Sequence, residues 1–167
     1  MLVEDGVVIN AKVQDNSFCL SCHATHGPFS DITPEMVADI DDEETALTIG
    51  GIVSKHTNHP YGPDRMMGLS NCVDCHMPKI AKSAINYDIR PHTFEAIPPT
   101  KTLDFQAEGG MPNSCAVSCH SDKVNSFGFG LDPTISAWNE PFDVNTADQL
   151  SIYYGPGGLW WEPAEEE

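Results

Sequence analysis

Cys19-Leu20-Ser21-Cys22-His23, Cys72-Val73-Asp74-Cys75-His76 and Cys115-Ala116-Val117-Ser118-Cys119-His120 contain every cysteine of the 167-residue chain. All six fall in pairs, and a histidine directly follows each pair. Only 7 of the 167 residues are histidine, so composition alone does not place one after all three pairs. Residues three apart lie on one face of a helical turn. Two sulfurs at that spacing therefore point the same way, and the histidine, four positions after the first cysteine, reaches the same side. The third motif carries one extra residue, which a single turn accommodates only if the backbone between the sulfurs bulges.

C-x-x-C-H is the attachment signature of c-type haem. Two thioether bonds fix one porphyrin edge, and the imidazole binds the iron from below. C-x-x-x-C-H is a rarer variant of the same arrangement. Zinc also takes paired cysteines, and a secreted chain can join six cysteines as three disulfides. Neither requires a histidine after each pair. A thioredoxin-like redox pair has no reason to occur three times. The motifs thus predict three covalent haems with their irons, anchored by Cys19, Cys22, Cys72, Cys75, Cys115 and Cys119. His23, His76 and His120 are the proximal ligands.

Four histidines remain for three distal positions: His26, His56, His59 and His92. Three of them are expected to be axial ligands, giving bis-His haems. His92 is the best placed, and His56 and His59 lie upstream of the second motif. His26, three residues after His23, cannot easily cross to the far side of the first haem. It can reach a neighbouring one, in this subunit or the next. Met66, Met67 and Met111 are the competing ligands, and Met ligation raises the reduction potential. The surplus of histidine makes them unnecessary, so they are read as packing on porphyrin faces. An iron with both axial positions filled has no site for substrate. The expectation is electron transfer and no enzymatic activity.

Eight basic residues against 25 acidic give a net charge of −17. Phosphates would repel such a chain, which excludes nucleic acid and anionic membrane surfaces as partners. No apolar run reaches the roughly 18 residues of a membrane span. The opening MLVEDGVVIN lacks the basic start and apolar middle of a signal peptide. Charge is uneven: residues 1–54 carry −9, residues 55–101 carry +2 and residues 102–167 carry −10. The central basic residues are read as offsetting haem propionates.

The proximal histidines lie 53 and 44 residues apart, too close for an independent domain around each. The expected fold is one trihaem domain over 1–167, mostly irregular and loop-rich, with a few short helices and a minor β-hairpin. Its haem-binding core spans about 17–120, and haem faces supply much of the apolar interior. Residues 121–167 form an extension whose Trp160-Trp161 pair either plugs the core or anchors an interface. Asp5-Gly6 before Val7-Val8-Ile9 predicts a turn and a short strand. Thr33-Pro34 starts a helix with Thr as its cap, burying Met36, Val37 and Ile40. A second helix is expected from about Glu43 to Val53, interrupted at Gly50-Gly51. A third is expected from about Thr146 to Tyr154, capped by Asn145. Without haem the chain is expected not to fold.

Asn71-Cys72-Val73-Asp74-Cys75-His76-Met77-Pro78-Lys79, with Arg90-Pro91-His92-Thr93-Phe94 and Gly110-Met111-Pro112-Asn113-Ser114-Cys115, resembles the multihaem c-type cytochromes. The likeness covers about residues 17–120. It extends to the electron-transfer modules of the ammonia-forming nitrite reductases and octahaem cytochromes, and to extracellular cytochromes that polymerise into filaments. The resemblance implies bis-His haems stacked in a conducting row, with His92 as a distal ligand. It implies attachment outside the cytoplasm and hence a secretion signal beyond this sequence. It also implies an extracellular or cell-surface location, with other copies of the chain and redox proteins or extracellular acceptors as partners. A soluble periplasmic shuttle, or a redox subunit of a larger oxidoreductase, is the alternative. The Lys-ligated catalytic haem of the nitrite reductases has no counterpart here, so that activity is not implied.

Overall fold

The first two Cys–His motifs lie on short helices, α1 (Ser17–His23) and α4 (Cys72–His76), and the third starts on α6 (Ser114–Ser118) and runs two residues past its end. A computed structural model describes residues 2–4, 7–9, 16–61, 70–92, 94–124, 131–155 and 157–160, with backbone only for 2–4 and 7–9. Four further helices complete the described set: α2 (Pro34–Ala38), α3 (Glu43–Thr57), α5 (Thr100–Asp104) and α7 (Pro141–Ser151). Most of the remaining described chain is turn and loop, so the architecture is loop-rich with short helices. None of these helices is long and apolar enough to cross a membrane. Contacts divide the chain into two units, Met1–Val73 and Asp74–Glu167, and the division runs through α4.

In the first unit, β1 (Leu2–Glu4) and β2 (Val7–Ile9) pair antiparallel, Leu2 against Ile9 and Glu4 against Val7. The residues of the expected turn between them, Asp5 and Gly6, lie outside the described residues. After α1 the chain reverses at Thr25, whose N–H reaches the carbonyls of Phe29 (3.1 Å) and Ile32 (3.0 Å). Thr33 caps α2 as its sequence predicts, its hydroxyl accepting from the Met36 N–H at 3.3 Å. Val37 and Ile40 are buried and Met36 packs beside them. Together with Leu20, Ala24, Ile32, Ile49 and Val53 they form the apolar centre of this unit. Burying a Leu, Ile or Val is worth roughly 1.5–3 kcal/mol. This cluster is therefore what holds α1 against α2 and α3.

The expected interruption of α3 at Gly50-Gly51 does not occur. The helix starts at Asp42, whose carboxylate accepts from the Thr45 N–H at 3.0 Å. It runs unbroken to Thr57 and closes at Asn58 in the left-handed region, φ 55°. Gly50 is there for space: a β-carbon would collide with the Tyr61 ring. Gly51 faces no atom within 4 Å.

In the second unit, Ala116, Val117 and Trp138 form the buried cluster, flanked by Ile80, Tyr87, Leu131 and Ile135. The Trp138 indole N–H donates to the Tyr87 hydroxyl at 3.0 Å, which donates to the Ile135 carbonyl at 2.9 Å. Lys123 lies 5.2 Å above the Trp138 ring. Its ammonium meets Asp143 at 2.5 Å and Glu140 at 3.3 Å. The last helix starts earlier than expected. Pro141 occupies its first position, and the Asp143 carboxylate accepts from the Glu140 N–H at 3.1 Å. Asn145 therefore sits inside α7 and does not cap it. The helix ends at Ser151, and Gly155 follows at φ 120°. Trp160 packs tilted on Tyr153 with ring centres 5.0 Å apart. Trp161, Met66 and Met67 lie outside the described residues.

The two glycines of α3 separate space from flexibility. Gly50→Ala is expected to destabilise by about 1–3 kcal/mol through overpacking. Gly51→Ala is expected to stabilise by about 0.5–1 kcal/mol through loss of unfolded-state freedom. Urea unfolding midpoints moving in opposite directions would bear this out; equal shifts would contradict it.

Candidate functional site

The first two motifs lie wholly within α1 and α4, so their sulfurs and imidazoles share one helical turn each. The third differs as its extra residue requires. Helix α6 ends at Ser118, and the Cys115 carbonyl accepts from both the Cys119 N–H (3.0 Å) and the His120 N–H (2.8 Å). The second of these bonds spans five residues. The extra residue is absorbed as a widened last turn.

In the first unit, Asn16 joins the starts of two motifs. It is fully buried and adopts φ 63° directly before α1. Its side-chain oxygen accepts from the Cys72 N–H at 2.9 Å, and its amide donates to the Ser70 carbonyl at 2.9 Å. The Ser70 hydroxyl donates to the His59 carbonyl at 2.6 Å and lies 2.7 Å from the Thr57 hydroxyl. His59 is thereby held beside the residues that lead into the second motif. His56 packs edge-on against Phe29, 5.2 Å between ring centres. The Cys19 thiol shares a side-chain hydrogen bond with Cys72, which lowers it to about 7 against the opposing effect of burial.

In the second unit, two serines of α6 bind the last turn of α4. The Ser114 hydroxyl donates to the Cys75 carbonyl at 2.8 Å and accepts from the Ile97 N–H at 2.9 Å. The Ser118 hydroxyl donates to the Asp74 carbonyl at 2.5 Å. This packing brings Cys75 near the sulfurs of the third motif. Burial pushes the Cys75 thiol up to about 12, and Cys115, Asp74 and Cys119 add to the rise. Burial likewise raises Cys115 to about 11 and, with Asp74, raises Cys119. Tyr154, in the C-terminal extension, is raised to about 12 by burial and by the nearby Cys75 and Cys115. Its proximity to the sulfurs has no counterpart in the sequence pattern.

Three histidines share a bonding pattern. Nδ1 lies 2.8 Å from the Ala24 carbonyl in His26, 2.6 Å from the Thr57 carbonyl in His59 and 2.9 Å from the Phe94 carbonyl in His76. A carbonyl only accepts, so Nδ1 carries the proton. In the neutral ring the lone pair is then on Nε2. His92 is exposed and packs tilted on Phe94, 6.2 Å between ring centres. His23 and His120 are exposed at the ends of their motifs.

The donor set fits a covalent porphyrin. Each motif presents two thiols and an imidazole from one turn, and His76 has the tautomer that an Nε2 ligand needs. Phe18 beside Cys19 and Phe94 beside His92 expose apolar rings that suit a flat apolar face. The Cys19–Cys72 contact between motifs is the one feature such attachment does not call for. No two of the six cysteines are joined as a disulfide. Among the described residues, no three His, Cys, Asp or Glu side chains group as ligands of a single metal ion.

No family model, curated protein or solved structure matches the chain.

Asn16 is the polar side chain that ties the start of α1 to the start of the second motif. Asn16→Ala removes both hydrogen bonds and leaves the Cys72 N–H and the Ser70 carbonyl without their partner. The expected cost is about 2–4 kcal/mol, read as a lower guanidinium midpoint. A midpoint within error of the parent protein would show that the bridge carries no stability.

Proposed function

We propose that the chain is an electron carrier with three covalent c-type haems, one on each Cys–His motif, and no catalytic activity of its own. The observation that carries this reading is the Nδ1–H to carbonyl bond of His76, repeated at His26 and His59. Such a bond fixes the ring and raises its basicity as a ligand through Nε2. In this reading Cys19, Cys22, Cys72, Cys75, Cys115 and Cys119 form the thioethers. His23, His76 and His120 are proximal, and the distal positions are filled from His26, His56, His59 and His92. Haem held in this way supplies a one-electron ferric–ferrous couple closed to outside ligands. The chain's own residues set the conditions. The rings of His26, His59 and His76 are held by backbone carbonyls, Asp74 places a carboxylate inside the second motif, and the net charge of −17 favours the oxidised state and lower potentials.

The finer reading is a subunit of an extracellular or cell-surface filament that polymerises head-to-tail. It is supported by an apolar surface on the C-terminal stretch, where Leu159 is 74% and Ile152 57% exposed. Four spare histidines for three distal positions would also leave one to reach a neighbouring copy. A heterologous contact that does not close produces an open fibre. A soluble periplasmic shuttle, or a subunit of a larger oxidoreductase, is the alternative. The Cys19–Cys72 contact favours a different reading, a structural disulfide between the first two motifs, in which neither of those motifs would carry a haem.

Spectroelectrochemistry with carbon monoxide tests the carrier. The expected result is reversible reduction below the standard hydrogen potential, with a Soret band that carbon monoxide does not move. Midpoints all above that potential, or a carbon monoxide shift, would contradict closed bis-His irons. Electron microscopy is expected to show fibres; monodisperse particles alone would reject the polymer and leave the carrier.

A further inference from the structure

Phe94 adopts φ 58°, a left-handed backbone that a bulky side chain rarely takes. Its side chain does little to stabilise that conformation, since the ring is 60% exposed. Its carbonyl, however, accepts from His76 Nδ1 at 2.9 Å. A second residue of the same stretch reaches the same motif. Arg90 Nη1 donates to the Met77 carbonyl at 2.5 Å, and its Nη2 lies 3.5 Å from the Asp74 carboxylate. Residues 90 and 94 thus contact three positions of the second motif and its exit: Asp74, His76 and Met77. Helix α4 is five residues long, too short to fix the direction of its last side chain alone. The orientation of the His76 ring is imposed from outside the helix.

We infer that Phe94 is a positioning residue: its left-handed backbone aims a carbonyl at His76 Nδ1 and so fixes the tautomer, ring plane and basicity of the second motif's imidazole. This inference rests on the haem reading of that motif. Strained backbone persists where surrounding structure imposes it and is concentrated at functional sites. Arg90 holds the chain on either side of His76, at Asp74 and Met77, while the Phe94 carbonyl takes the ring itself. A more basic imidazole stabilises the ferric state, so the bond holds the potential of one haem down.

The test compares Phe94→Gly with Phe94→Ile in the haem-loaded protein, with covalent haem counted by intact mass before potentials are titrated. Glycine adopts positive φ freely, so F94G keeps the carbonyl in place, and its midpoints, compared with the parent, report the loss of the ring alone. Isoleucine, β-branched, resists that region, so F94I is expected to raise one midpoint above its F94G value and leave the other two where F94G has them. An F94I titration identical to that of F94G would overturn the inference, since equal shifts in both variants would point to the ring rather than the carbonyl. If F94I does not mature, proton NMR of the reduced parent and F94G decides. A slowly exchanging His76 Nδ1 proton in both supports the bond, and its absence from either overturns it. A parent protein without haem would instead refute the reading of the motif itself, and the inference would fall with it.

Discussion

Two sulfurs and an imidazole can meet the edge and centre of one flat disc only if the chain coils once between the first sulfur and the ring. In the proposed reading that requirement acts at three places, where the chain forms helices of five to seven residues. Helices this short do not persist alone in water. They must be held by groups outside themselves, and the hydrogen bonds around the motifs do this. Asn16 supports the first turn of α4, Ser114 and Ser118 bind its last carbonyls, and Phe94 holds its final imidazole. Hydrogen bonds from outside the helix, made by side chains and by one backbone carbonyl, replace the stability that a longer helix would provide.

The apolar interior follows the same economy. Among the described residues, the apolar cluster of the first unit holds seven buried side chains and that of the second holds three, while large rings such as Phe18, Phe94 and Phe105 are exposed. In the second unit a polar network around Trp138 supplements packing, with Lys123 drawn over the indole by Asp143 and Glu140. Burial lowers the pKa of Lys123, and its two carboxylate partners reverse this, so the net shift is upward. The ammonium therefore stays charged and the network intact at ordinary pH; its contribution is lost only as alkaline conditions pass the raised pKa. In the proposed reading, porphyrin faces would complete this interior, which links the chain's stability to its cofactors.

Signals that depend on neighbouring residues were legible in the sequence. Thr33 before Pro34 marked the start of α2, and the three Cys–His spacings marked three helical turns, including the widened third. Where two local signals competed, the weaker one misled. Asn145 is a good cap in isolation, but Pro141 with Asp143 two positions later starts α7 first. Gly50-Gly51 suggests a break, yet one glycine makes room for the Tyr61 ring and the helix continues. Long-range partners left no such trace. Asn16 binds residues 54 and 56 positions away, and Ser118 binds one 44 positions away. The Phe94 carbonyl belongs to a backbone conformation that no side-chain pattern announces. The spacing of the motifs was readable; the groups that aim them were not.

Intact mass of the purified chain, combined with a pyridine haemochrome assay and alkylation of thiols, tests the central claim most directly. The account predicts three covalent haems per polypeptide and no alkylatable cysteine. A colourless protein with the mass of the bare chain, carrying six reactive thiols or a Cys19–Cys72 cross-link, would contradict it.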